Sequence, residues 1–243
     1  MADPQDLLIP VHVDPLQYPL PHLAERLARN GDVTIVAIGS SSTSGEGGAK
    51  RIKPYPAYLE DMLRETYKNQ QINVLNQGAG GQEAPDELQR MQAVIDAKPA
   101  LTIWQVGTNA VWKDQNLDQV DTAIKTGLRL LNSEPMDVIL MDLQYAPALL
   151  ADNKIGAALR MQSLIAEAAA AANVSVFRRF DMMRKIVEIE RRSFDALIDP
   201  TDDKRLHESE SISGRIGYEL CRVIAFAAAV ASPAATPPGG LIF

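Results

Sequence analysis

Val33-Thr-Ile-Val-Ala-Ile-Gly-Ser-Ser-Ser-Thr-Ser-Gly45 is the stretch whose reading decides the fold. Six β-branched or small apolar residues, Val33 to Ile38, stop at Gly39 and give way to hydroxyl side chains and then Gly45, the pattern of a buried strand that ends in a tight polar turn. α/β folds carry reactive groups at such strand ends. Gly39 lets the backbone turn sharply as it leaves the sheet, so a following serine stands clear of the core near the first amides of the next helix. One of these serines is therefore a candidate nucleophile. Two phosphate-binding patterns fail here. A P-loop needs G-x-x-x-x-G-K-[ST], whereas five residues separate Gly39 from Gly45 and Glu46 follows where phosphate needs a cation. The dinucleotide fingerprint G-x-G-x-x-G is absent from this turn and from Asn76-Gln-Gly-Ala-Gly-Gly81. A serine-rich turn without chemistry remains the plain alternative for this stretch taken alone.

Moving outward, each later segment supplies another βα unit. Residues 1–21 hold five prolines and read as an extended N-terminal arm, 22–231 as one domain, and 232–243 as a flexible C-terminal tail. Short apolar runs at Ile72–Leu75, Leu101–Val106, Asp137–Met141 and Val174–Phe177 predict four further strands. Helices are expected over 22–30, 56–67, 85–97, 117–132, 154–172 and 209–230, the last with Cys221 on its small-residue stripe. This alternation implies an α/β fold: a doubly wound, parallel five-stranded sheet of flavodoxin-like type, sandwiched α/β/α. The loops after the strands then share one rim, which gathers Ser41, Gly81 and Asn109.

Composition sets outer limits. A chain of 243 residues with 46% hydrophobic content buries a large core and fits one domain. Its formal charge of −7 argues against nucleic acid and anionic membranes as partners, and no segment has the roughly 20 apolar residues of a membrane span. One cysteine excludes an internal disulfide and reads as a buried thiol. No His/Asp/Glu cluster has metal-ligand spacing, so neither metal nor cofactor is expected. Oligomeric state is not legible.

A serine hydroxyl is a poor nucleophile until an imidazole accepts its proton, and the chain offers His12, His22 and His207. Only His207 follows the last strand, in the acid-rich loop Asp199-Pro-Thr-Asp-Asp-Lys-Arg-Leu-His207. The plain alternative for His207 is a solvated surface histidine. Trp104 and Trp112 bracket the Asn109 loop; a packing role is favoured over pocket lining for both. Arg178 and Arg179 are read as solvated in preference to binding a substrate anion or Asp181.

Taken together, these blocks resemble the SGNH (GDSL-like) hydrolase superfamily. Gly39-Ser-Ser-Ser-Thr43 is similar to its first block with Ser41 at the nucleophile position, Gly78-Ala-Gly-Gly81 to the second, Gly107-Thr-Asn109 to the third, and His207 to the last. Ser40 stands where the family usually has Asp, and the usual D-x-x-H is one residue longer in Asp203-Lys-Arg-Leu-His207. The resemblance implies a serine esterase that hydrolyses a small-molecule carboxylic ester, with a short acyl group or an acetylated carbohydrate, through an acyl-enzyme on Ser41. The catalytic residues implied are Ser41, Asp203 and His207, with Asp202 in reserve and Asp199 a third acid within reach. The oxyanion donors implied are the N–H groups of Ser41 and Gly81 and the amide of Asn109. Acyl transfer from the same acyl-enzyme, or a non-catalytic binding protein on the same scaffold, are the alternatives. Related sequences are often exported, which suggests a periplasmic or secreted protein; with Met1 as the native start it is cytoplasmic.

Overall fold

The computed structural model describes residues 13–29, 31–46, 48 and 51–237. Its centre is a sheet of five parallel strands in the order β2-β1-β3-β4-β5: β1 (Val33–Gly39), β2 (Ile72–Gly78), β3 (Leu101–Gln105), β4 (Asp137–Met141) and β5 (Ser175–Phe177). β1 lies between β2 and β3, with Gly39 in register with Gly78 and Ile38 with Trp104. Every residue of β3 and β4 is buried, as continuous apolar runs in a doubly covered parallel sheet require. Truncating a residue such as Ile103, fully buried in this layer, to alanine is expected to cost about 2–5 kcal/mol.

The helices, in chain order, are α1 (Pro21–Ala28), α2 (Ser41–Ser44), α3 (Tyr55–Thr66), α4 (Ala84–Leu88), α5 (Met91–Asp96), α6 (Thr108–Trp112), α7 (Leu117–Asn132), α8 (Pro147–Leu150), α9 (Ile155–Ala171), α10 (Arg179–Glu188), α11 (Phe194–Leu197) and α12 (Glu210–Ala231). α12 packs on α3 and α1, while α7 packs on α4 and α9, giving the two helical layers of an α/β/α sandwich. No helix among the described residues is long and apolar enough to cross a membrane.

Several boundaries differ from expectation. The helix expected over 85–97 is broken at Gln89–Arg90, where the Arg90 side chain turns back to donate to the Gln77 carbonyl and Gln82 Oε1, each at 2.9 Å. β2 continues three residues beyond Leu75, through a polar stretch that pairs with β1 all the same. Part of the N-terminal arm, residues 13–20, lies along the domain: Tyr18 N–H donates to Ser175 Oγ at 2.9 Å, and Val13 and Leu20 are buried. Residues 1–12 lie outside the described residues. Pro233–Ala235, placed in a flexible tail by composition, instead forms a 3-10 turn against α1 and α12 with Ala235 buried. Residues 238–243 lie outside the described residues. Cys221 is buried in α12 beside Thr66 Oγ1 at 3.6 Å.

Candidate active site

The turn after β1 sorts its hydroxyls by their partners. Ser40 is buried, and both its N–H and its Oγ donate to Gln105 Oε1 at 2.9 Å. Thr43 Oγ1 reaches the same oxygen at 3.4 Å and Tyr55 OH at 3.3 Å, and Ser42 Oγ donates to Gln144 Oε1 at 3.3 Å. Ser41 alone among residues 40–44 is not buried. It opens the first turn of α2, whose leading amides have no carbonyl partner within the helix. Gly39 plays a different part from the one expected. Its φ is not positive; it is needed because a Cβ would lie 2.5 Å from Thr43 Oγ1 and 2.8 Å from Gln105 Oε1.

Ser41 and His207 line one small cleft, together with Ser42, Gly45, Glu46, Gly48, Ile52, Asp199 and Glu208. The acid beside His207 is Asp202 and not Asp203. Asp202 Oδ2 lies 3.0 Å from His207 Nδ1 and also accepts the backbone N–H groups of His207 and Leu206, both at 2.8 Å, whereas Asp203 is exposed. Turn geometry overrides counting along the chain. Asp202 N–H donates to the Asp199 carbonyl, Arg205 N–H to the Asp202 carbonyl, and Arg205 has φ +52°. The loop thus doubles back and is closed by Asp199 N–H donating to the His207 carbonyl at 2.8 Å. Asp199 Oδ1 accepts from Thr201. Burial raises the Asp202 pKa, but the N–H groups of His207 and Leu206, the nearby imidazole and the Lys204 N–H outweigh it and hold the carboxyl below its ordinary value. Of the other histidines, His22 sits on α1 at the opposite end of the sheet, where Leu23 N–H binds Asp137 at the start of β4; His12 lies outside the described residues.

Gly81 and Asn109 meet on the same rim. Asn109 Nδ2 donates to the Gln82 carbonyl at 2.9 Å, which uses one of its two amide hydrogens. Lys113 Nζ reaches the Gly81 carbonyl at 2.5 Å, and Gly81 has φ +78°, which a side chain resists. The helix that carries Asn109, α6, is gripped at both ends. Glu83, fully buried, accepts N–H groups from Gly107 and Ala110, each at 2.8 Å, and Lys154 Nζ donates to the carbonyls of Val111 and Trp112 at 3.2 and 3.1 Å. An acid at the N-terminus and a base at the C-terminus both suit the helix dipole. Burial raises the pKa of Glu83 and that of Glu87, which accepts from Trp104 Nε1 at 2.7 Å. Trp104 is thus a core residue, and Trp112 is partly buried against the core.

Arg178 is exposed as expected, but Arg179 is wholly buried. Its guanidinium donates to the Asp142 carbonyl at 3.1 Å and Thr108 Oγ1 at 3.2 Å, and lies 3.6 Å from Glu208 Oε2. Burial pushes Asp142 and Glu208 up to about 7. From sequence, Arg179 reads as solvated and none of Glu83, Gln105 and Gln144 is singled out. Among the described residues no three His, Cys, Asp or Glu side chains gather as a metal site.

A parallel sheet of this order, with serine, glycine, asparagine and histidine blocks on its C-terminal rim, defines an SGNH-type hydrolase fold. The chain belongs to the Non-GDSL lipase-like family, whose model matches residues 9–230. A comparison with curated proteins gives no match. Among solved structures it is similar to an acetylxylan esterase from Geobacillus stearothermophilus, with 20% identity and a TM-score of 0.65 over 81% of this chain and 94% of that one. It is also similar to a G-D-S-L family protein from Desulfitobacterium hafniense DCB-2, with 22% identity and a TM-score of 0.63 over 79% of this chain and 99% of that one. Variants of the acetylxylan esterase described as catalytic mutants carry alanine at a serine, an aspartate or a histidine.

Proposed function

We propose that this protein is a serine esterase that hydrolyses a carboxylic ester of a short acyl group, an acetylated carbohydrate in particular, through an acyl-enzyme on Ser41. The observation that carries the reading is the Asp202–His207 pair in the cleft that Ser41 lines. His207 Nε2 takes the Ser41 proton as Oγ attacks the ester carbonyl, and Asp202 stabilises the imidazolium through Nδ1–H. The oxyanion is met by the N–H groups of Ser41 and Gly81 and the free amide hydrogen of Asn109. The intermediate collapses with His207 returning the proton to the departing alcohol. Water, deprotonated by the same imidazole, then releases the acid and restores Ser41. The cleft is small, about 10 Å³ among the described residues, so a short acyl group suits it better than a long chain. The fold relative that acts on acetylxylan adds support. The test is turnover of p-nitrophenyl acetate and of acetylated xylo-oligosaccharide by the wild type and by Ser41→Ala. Turnover by the wild type and none by the variant is expected; equal turnover, or none with any short ester, refutes the reading.

A further inference from the structure

We infer that Gln144, in the loop between β4 and α8, is a positioning residue that sets the spacing of nucleophile, oxyanion donor and base. The inference rests on the esterase reading above. Gln144 is 2% exposed and makes a contact beside each of the three groups. Its Oε1 accepts from the hydroxyl of Ser42, next to Ser41, at 3.3 Å. Its Nε2 donates to the carbonyl of Leu206, next to His207. Its backbone N–H donates to Thr108 Oγ1, next to Asn109, at 3.4 Å.

These contacts join segments that are far apart in sequence and share no backbone ladder. Ser42 belongs to the turn after β1, Thr108 to the turn after β3, and Leu206 to the loop before α12. The bridge of Ile198 with Glu208 closes the His207 loop on itself, and one backbone bond, Ala148 N–H to the Arg205 carbonyl at 3.3 Å, ties it to α8, so its distance from Ser41 is set largely by side chains. Gln144 is hydrogen-bonded next to nucleophile, oxyanion donor and base at once. Its amide has the polarity the task needs: an acceptor for a hydroxyl on one side and a donor for a carbonyl on the other. Glutamate in its place presents an oxygen to the Leu206 carbonyl, and methionine presents neither function. Neither the ester nor the reacting atoms are touched, so the role is one of geometry, where a displacement near 1 Å costs about 100-fold in rate.

The experiment measures kcat and KM for p-nitrophenyl acetate, and the rate at which a fluorophosphonate labels Ser41, in wild type, Gln144→Ala, Gln144→Glu, Ser42→Ala and the double variant Gln144→Ala/Ser42→Ala. For the Gln144 variants we expect kcat and labelling rate to fall together by about 10- to 100-fold with KM nearly unchanged. Ser42→Ala should lose less, and the double variant should be no slower than Gln144→Ala, because both changes remove one bond. Wild-type kcat in Gln144→Ala or Gln144→Glu, or losses that multiply in the double variant, overturn the inference. If Gln144→Ala melts far below the wild type, Gln144→Met carries the test by size, and full activity in that variant overturns the inference equally. A wild type that is neither labelled nor active refutes the esterase reading instead, which separates the two failures.

Discussion

Asp202 presents one carboxylate oxygen, Oδ2, to both the backbone N–H and the ring Nδ1 of His207, at 2.8 and 3.0 Å. Main chain and imidazole are thereby oriented from one point, and a proton on Nδ1 facing this carboxylate is the tautomer that the proposed mechanism requires. Asp202→Asn is expected to lower kcat by several orders of magnitude while the protein folds normally, because the carboxamide no longer stabilises the imidazolium. Asp203→Asn is expected to match the wild type. Steady-state kinetics of the pair decide it, and the reverse ranking removes Asp202 from the mechanism.

Asn109→Ala should lower kcat by about 10²-fold or more with KM little changed, the pattern for loss of one oxyanion donor. The same change frees the Gln82 carbonyl, so circular dichroism melting must accompany the kinetics. Unaltered kcat would place the oxyanion elsewhere.

Buried acids predict an acid-side stability optimum. Asp142 and Glu208 are raised to about 7 and Asp137 to about 6 by burial, from ordinary values of 3.8 for Asp and 4.5 for Glu. Between those limits the folded protein binds more protons than the unfolded chain, so stability falls as pH rises from about 4.5 to 7. Asp202 works the other way at lower pH: its contribution is complete above 3.8 and is lost as pH falls through its depressed value. Calorimetry should give a higher Tm near pH 5 than at pH 7.5, with a shallower fall in Asp142→Asn. A Tm that climbs steadily over that range contradicts the assignment.

Arg179→Met strands Glu208 in the interior. Removing one member of a buried ion pair costs about 3–5 kcal/mol, whereas Arg179→Met/Glu208→Gln should recover part of it. Since Glu208 can escape the penalty by protonation, urea unfolding should show a larger loss for the single variant at pH 8 than at pH 6. Equal losses at both pH values would mean that Glu208 is not the partner that matters.

The strands and long helices were legible because apolar periodicity reports burial directly, and β1 with its hydroxyl turn already carried the sheet's character. The rim was legible less evenly. Ser41 and His207 could be singled out by residue type, but Asp202 could not, since the choice between adjacent acids depends on how a turn with Arg205 at φ +52° doubles back. Counting residues treats the loop as extended. Arg179 was misread because a basic residue after a strand looks solvated until Glu208, 29 positions later, is brought against it. Gln105 and Gln144 did leave a trace: each is a polar residue at or just beyond the end of an apolar strand, where a sheet's C-terminal rim begins.

The grip on α6 by Glu83 and Lys154 has a dynamic consequence. A five-residue helix cannot sustain itself in water, because nucleating a turn costs more than so few hydrogen bonds return. Such segments ordinarily fray. Here the amides of Gly107 and Ala110 end on a carboxylate without solvent exposure, so they should exchange with deuterium only when the whole domain opens. In Glu83→Ala the same amides should exchange by local opening while β3 stays protected. Asn109, the proposed oxyanion donor, would then ride on the slowest-breathing part of the molecule even though its own helix is among the shortest.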